Sequence, residues 1–198
     1  MGKLKNYQKI RQVNDLRKEM KTKQKKLDKQ IFTATKSAGE YSVTVSMLGN
    51  RQAQHVHIKD ADNNNIVVVN ADILSAMSEA TTDVLNQIGT ARDQIFNAAT
   101  KALIDENDKT KSINSELQKA QKKLNQQPFT GSAQLKADNA QPSVEFNFLG
   151  NYACEKVSAN NLDDLSTGKL SRLFTRALNS GIANIDLATD VIYDKYAH

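Results

Sequence analysis

With only one cysteine, Cys154, the chain has no internal disulfide framework, and it has no tryptophan at all. Cys154 falls in a strand-like run, where a small buried or half-buried hydrophobe is its expected role. Proline occurs twice and glycine eight times in 198 residues. That scarcity suits a helix-rich soluble chain better than an all-β one, which needs both residues for its turns. No apolar run approaches the roughly 18 residues of a membrane span. The N-terminus is basic but lacks an apolar core and a cleavage site, so no secretory signal and a cytoplasmic location are expected.

Catalytic signatures are missing too. The chain has no G-x-x-x-x-G-K-[ST] loop and no G-x-G, so a nucleotide-phosphate cradle is not expected. It has no G-x-S-x-G elbow and no H-E-x-x-H. His55 and His57 are the one pair with metal-ligand spacing, because i and i+2 share a strand face. Val56 and Ile58 take the opposite, inward face, which leaves both imidazoles in water with no further ligands. Asp163-Asp164 reads as loop solvation or helix capping. No enzyme, metal or cofactor is expected.

What is present is a charge asymmetry. The net charge of +5 comes from 27 Lys+Arg against 22 Asp+Glu. Residues 1–30 hold eleven Lys/Arg against three Asp/Glu, net +8, and the remainder sixteen against nineteen, net −3. A mildly acidic body therefore carries one basic arm, which points to polyanion contact through a single element.

There is also an internal repeat. Ser42–Ile58, SVTVSMLGNRQAQHVHI, returns as Ser143–Ala159, SVEFNFLGNYACEKVSA. Val43, Val45 and Met47 alternate with polar residues, as do Val144, Phe146 and Phe148, the period of a strand with one buried face. Both runs end in Leu-Gly-Asn, at Leu48-Gly49-Asn50 and Leu149-Gly150-Asn151. Glycine's free access to positive φ, which asparagine also tolerates, suits a tight hairpin there. Phe32-Thr33 upstream is echoed by Phe129-Thr130, and Val56 by Val157. Ordered echoes at a near-constant offset indicate duplication.

The expected fold class is α+β: two tandem copies of helix, three-stranded antiparallel sheet and helix, arranged as a pseudo-dimer with long projecting helices. The repeats are placed at 1–104 and 105–198. Residues 3–30 contain neither Gly nor Pro and read as a long helix with a seam at Val13, Leu16, Met20 and Leu27, interrupted by Lys23. Arg11, Lys18 and Lys25 lie opposite that seam, flanked by Lys21 and Lys29. Strands are expected at Phe32–Ser37, Tyr41–Leu48 and Arg51–Lys59, then a loop at Asp60–Asn65. Ile66–Val69 reads either as a short strand or as an apolar lead-in over the sheet. Asp72 reads as the N-cap of a second helix, with apolar residues at Leu74, Met77, Val84, Ile88, Ile95, Ala99 and Leu103. No Pro or Gly lies between Thr90 and Gln127, so this helix either continues into the next, Ser112–Gln126, or breaks at Asp105–Asp108. Pro128 stops the third helix. A strand at Phe129–Lys136, a turn at Asp138–Pro142, the second hairpin and a loop at Asn160–Asp164 lead to a final helix over about Leu170–Tyr196.

This order resembles the bacterial YbaB/EbfC family of nucleoid-associated proteins. The likeness rests on the Gln-, Met-, Lys- and Glu-rich helix Tyr7–Gln30, the hairpins, and a pattern Leu-x-x-Leu-x-x-x-Ala-x-Asn. The second copy carries that pattern as Leu170, Leu173, Ala177 and Asn179; the first has Leu74, Met77, Thr81 and Asp83 in the same frame. The turns depart from the family's in reading Gly-Asn rather than Asn-Gly. The resemblance implies tweezer-shaped homodimers that bind double-stranded DNA with loose sequence preference, and hence a nucleoid location. This chain then looks like such a dimer fused into one monomeric polypeptide. The nucleic-acid-binding candidates are Arg11, Arg17, Lys18, Lys21, Lys25, Lys26 and Lys29, since phosphate contact needs only a row of cations. Solubility alone does not call for seven basic residues within Arg17–Lys29. The alternative is a helical scaffold or adaptor whose basic arm meets an acidic protein partner or anionic surface.

Overall fold

The structure, a computed structural model, describes residues 2–60, 67–100, 108–135, 141–163 and 165–196, without the side chains of 2–13, 98–100, 108–114 and 196. Among these residues are four helices, α1 (Gly2–Leu27), α2 (Ala71–Thr100), α3 (Asp108–Asn125) and α4 (Thr167–Tyr196), and six strands, three between α1 and α2 and three between α3 and α4. The strands are β1 (Ile31–Ala38), β2 (Tyr41–Leu48), β3 (Ala53–Asp60), β4 (Pro128–Gln134), β5 (Ser143–Leu149) and β6 (Cys154–Asn160). They form two separate antiparallel sheets, β1-β2-β3 and β4-β5-β6. Helix–sheet–helix therefore occurs twice.

Alternation fixes the register. Val43, Val45, Met47, Val144, Phe146 and Phe148 are each at most 1% exposed, and a one-residue slip would turn all of them to water. Both middle strands carry a bulge at the same place, Ser46/Met47 against β3 and Asn147/Phe148 against β6. His55 and His57 lie on the exposed face of β3, and Val56 and Ile58 are buried.

The two Gly-Asn turns share one hydrogen-bond set. Gly49 N–H donates to Gln30 C=O and Gly150 N–H to Gln127 C=O, both at 2.9 Å. The Asn50 and Asn151 side chains accept from the N–H of Gln52 and Ala153, each at 3.0 Å. The expected reason for glycine does not hold. Positive φ falls on Arg51 and Tyr152, both at 67°. Glycine is required because a Cβ on Gly49 would lie 2.0 Å from Leu27 O, and one on Gly150 1.9 Å from Leu124 O. The hairpin is pressed against the end of the preceding helix, and only a residue without Cβ fits.

The inner faces of α2 and α4 match at a constant offset of 97 residues: Ile73, Ala76, Met77, Ala80, Leu85 and Ile88 correspond to Leu170, Leu173, Phe174, Ala177, Ile182 and Ile185. This moves the first copy's family pattern by one position. Ile73, Ala76, Ala80 and Thr82 are the counterparts of Leu170, Leu173, Ala177 and Asn179, in place of Leu74, Met77, Thr81 and Asp83. The helix also starts earlier than Asp72 suggests. Asn70 is its cap, accepting from Ile73 N–H at 3.0 Å, and Asp72 sits in the first turn, where a carboxylate favours the helix dipole. Val67 is buried on the sheet and residues 67–70 form no strand, which favours the apolar lead-in. The expected loop at 60–65, break at 105–108 and turn at 138–142 fall mostly outside the described residues.

Each helix also crosses to the other half. Besides its own sheet, α2 packs on β6, and α4 packs on β3. The helices bond to the outer edges of those strands. Asn179 accepts from Ala53 N–H at 2.8 Å and donates to Ala53 C=O at 3.0 Å, while Val56 N–H donates to Thr175 Oγ1 at 3.1 Å. Reciprocally, Cys154 N–H donates to Thr82 Oγ1 at 3.1 Å, and Ser78 donates to Cys154 C=O at 2.7 Å. Side chains from the opposite half thus cap part of each sheet edge, at Ala53, Val56 and Cys154, which makes pairing with a foreign strand less favourable there.

The cores differ in kind. The second half packs Phe146 on Phe148 at 5.9 Å between ring centroids and edge-on to Phe174 at 6.3 Å. The first half has Val45, Met47 and Met77 in those places. Room for the Phe148 ring comes from Gly181, where the first half has Val84: a Cβ on Gly181 would lie 2.5 Å from Phe148, while Gly131, at the place of Ala34, lets β4 approach the α4 backbone, a Cβ there lying 2.1 Å from Gly181 N. The larger side chains are matched by smaller ones opposite, as close packing demands.

Asn179→Ala leaves the Ala53 N–H and C=O unpaired and partly buried, and the expected loss of stability is about 2–3 kcal/mol. Urea unfolding measures it; a change within about 0.5 kcal/mol would show that the edge contact is not holding the halves together.

Candidate nucleic-acid interface

Helix α1 has no Gly or Pro after Gly2 and carries Lys25 and Lys26 in its last turn, where cations meet the negative end of the helix dipole. Its inner stripe is Leu16, Met20, Gln24 and Leu27, half-buried or buried. The stripe continues through Gln24, not through the d-position Lys23. Lys23 is exposed and pairs with Glu19 at 2.7 Å.

Arg17, Lys18, Lys21, Lys25 and Lys26 are exposed on α1, and Lys29 is exposed in the turn beyond it. The helix ends at Leu27 rather than at residue 30 because Asp28, Lys29 and Gln30 close its last carbonyls. Arg11 is within the helix, but its side chain lies outside the described residues. Arg17 and Lys21 share a face with Gln24, whereas Lys18 and Lys25 share the next face round. The candidates therefore occupy adjoining faces rather than one line. In α3, Gln118 stands where α1 has Lys21 and Ser115 where it has Lys18, but Lys122 and Lys123 repeat the terminal lysine pair. Lys119, Lys122 and Lys123 are exposed.

The base of the arm is anchored. Leu27 is buried under the first hairpin. Arg92 of α2 donates to Gly49 C=O at 2.9 and 3.0 Å and meets Asp28 at 3.2 Å. Burial, and next the charge of Arg51, lower the pKa of Arg92, while the Asp28 carboxylate opposes that. The second half has Thr189 and Asn125 at these places. Its turn is held through Arg51, whose guanidinium lies 4.0 Å from the Tyr152 ring centroid and 3.6 Å from Asp186. Tyr152 donates to the same carboxylate at 2.5 Å. Sequence reasoning found Leu27 and Gly49 but missed the anchoring roles of Asp28, Arg51, Arg92, Tyr152 and Asp186.

Between the arms lies a cavity of about 740 Å³, to which Gln24, Gln121, Asp93, Phe96, Asp190 and Tyr193 contribute from all four helices. Asp93-Gln94-Ile95-Phe96 and Asp190-Val191-Ile192-Tyr193 sit at equivalent places, a repeat of Asp-x-Ile-aromatic that the sequence displays. No group of three or more metal-capable side chains occurs among the described residues, and no helix among them is long and apolar enough to cross a membrane.

These features define a class: an α+β chain of two reciprocal helix–sheet–helix units, one bearing an exposed basic helix. A model of the YbaB/EbfC DNA-binding family matches residues 1–99, half of the chain. The chain belongs to that family. Comparison with curated proteins and with solved structures gives no match.

Burial is the main cause that raises the Tyr152 phenol from 10.0 to about 12. The unfolded chain releases this proton near pH 10 and the folded chain near 12, so stability falls as pH rises through that window. Tyr152→Phe should flatten the fall and remove the last phenolate step in absorbance at 295 nm. An unchanged titration would place another tyrosine in this environment.

Proposed function

We propose that this protein binds double-stranded DNA with little sequence preference, through phosphate contacts made by the basic first helix. The observation that carries the reading is the group of exposed cations at Arg17, Lys18, Lys21, Lys25, Lys26 and Lys29, borne on an element anchored at its C-terminal end. Such an array neutralises phosphates without reading base edges. Family membership supports DNA as the partner and the nucleoid as the place. We take residues 105–198 as a second repeat of the same type, so that one chain supplies what two subunits supply in a homodimer. The lysine pair of α3 then makes a weaker second contact.

A protein partner is the second reading, favoured by Leu187 and Val191, which are 67% and 63% exposed one turn apart on α4.

Four or five phosphate contacts give a log–log salt slope of about −0.9 each and a loss of roughly two orders of magnitude in affinity between 50 and 200 mM salt. Lys18, Lys21 and Lys25 changed together to Gln should flatten the slope by about two to three units at an unchanged folding midpoint. Random duplex DNA in a mobility-shift titration provides the readout. Equal affinity with an unchanged slope would remove α1 from the interface and leave the protein-partner reading.

A further inference from the structure

The outer face of α4 carries its charges in an order that α2 does not share. Arg172, Arg176, Ala183, Asp190 and Asp194 are all exposed, and each lies within about 20° of one line along the helix. That line runs opposite the buried Phe174, Leu178 and Ile185. Two cations, a small residue and two carboxylates thus follow one another over about 33 Å. None of these charged groups makes an ion pair with a described residue. Leu187 and Val191, both exposed, flank the same stripe.

The spacing is symmetric about Ala183, with Arg176 and Asp190 seven residues to either side and Arg172 and Asp194 eleven. A second α4 turned end for end about Ala183 therefore sets Arg176 against Asp190 and Arg172 against Asp194, each pair twice. Alanine at the crossing lets the two axes approach to the near end of the usual packing distance, about 8 Å. Leu187 then falls beside Ala183 of the second copy. Helix α2 is the internal control. At the offset of 97 residues it has Ser75, Glu79, Asn86, Asp93 and Asn97 in these places, and Thr90 for Leu187. The same rotation would oppose Glu79 to Asp93, so α2 repels its own copy where α4 attracts one.

We propose that the outer face of α4 pairs antiparallel with the same face of a second copy of this chain. The contact is isologous and closes at two. A face of about 33 Å by 10 Å is less than half of the roughly 800 Å² per partner in a standard interface. The pair is therefore weak, and the chain stays single in dilute solution. It forms where chains are crowded, and it brings two α1 arms together. The crowding rests on the DNA-binding reading, because copies on one duplex reach effective concentrations of about millimolar; the contact itself does not.

Disulfide trapping in the absence of DNA tests the pairing. With axes about 8–10 Å apart and Cα atoms about 2.3 Å from each axis, residues facing each other across the two-fold are within disulfide reach. Ala183→Cys, oxidised with diamide, should form a covalent dimer about tenfold faster than Asn86→Cys, its exposed counterpart on α2. The native Cys154 is buried and common to both. Added to Ala183→Cys, Arg172→Asp with Arg176→Asp makes the stripe wholly acidic, and Asp190→Arg with Asp194→Arg makes it wholly basic. Each should trap no faster than Asn86→Cys, and an equal mixture of the two should regain the lost rate as a mixed dimer. Thermal midpoints serve as the folding control. Salt at about 0.5 M should slow trapping several-fold. Random duplex DNA should accelerate trapping of Ala183→Cys; rapid trapping that DNA leaves unchanged would support the pairing and count against the DNA reading alone. Equal rates for Ala183→Cys and Asn86→Cys, or no recovery in the mixture, would overturn the proposal and leave Leu187 and Val191 to a different protein.

Discussion

The edge strands β3 and β6 are each capped in part by side chains from the opposite half, and the rest of the molecule depends on that exchange. A three-stranded sheet with one helix leaves a row of backbone donors and acceptors open along its edge. Here Asn179 and Thr175 fill part of one row and Thr82 and Ser78 part of the other. The same helices bury apolar faces on both sheets, so hydrogen bonding and hydrophobic burial favour one arrangement. Separating the halves would expose both at once. Each bulge falls beside Ala53 or Cys154, the residue whose main chain receives the partner helix.

Within one chain the two halves are free to differ, and they do. Aliphatic packing around Val45 and Met47 is answered by aromatic packing around Phe146 and Phe148, with Gly181 yielding the space beside Phe148. The first turn is held by Arg92 and the second by Tyr152 and Asp186. A homodimer must place the same residue on both sides of its axis. The concentration of cations on α1 and their thinning on α3 is the same freedom applied to charge.

The strands and the duplication were legible because alternation with period two survives wherever one face is buried. The cores of both hairpins could therefore be named residue by residue. Helix frame was harder: the apolar stripe of α2 is broad enough that Leu74 and Met77 fit as well as Ile73 and Ala76, and only the burial in the folded chain and the bonds of Thr82 and Asn179 separate the two. The glycines were found but misexplained, because the approach of Leu27 and Leu124 to the turns is a tertiary fact. Asp72 looked like a cap because Asn70, also a good cap, follows an apolar run of unclear type. The basic arm was visible as composition. Arg92, Arg51, Tyr152 and the cavity were not, since their partners lie up to 135 residues away in the chain, as Asp186 does from Arg51. The repeated Asp-x-Ile-aromatic segment, which was not read from the sequence, is the signal there that points to that cavity.

If the halves complete each other, the whole unit is one polypeptide. Sedimentation equilibrium across a hundredfold range of concentration addresses this most directly. The account predicts a single species at the chain mass of 21.9 kDa. A stable species of twice that mass at the lowest concentration would contradict it, because the edges described here as closed within the chain would then be closing between chains.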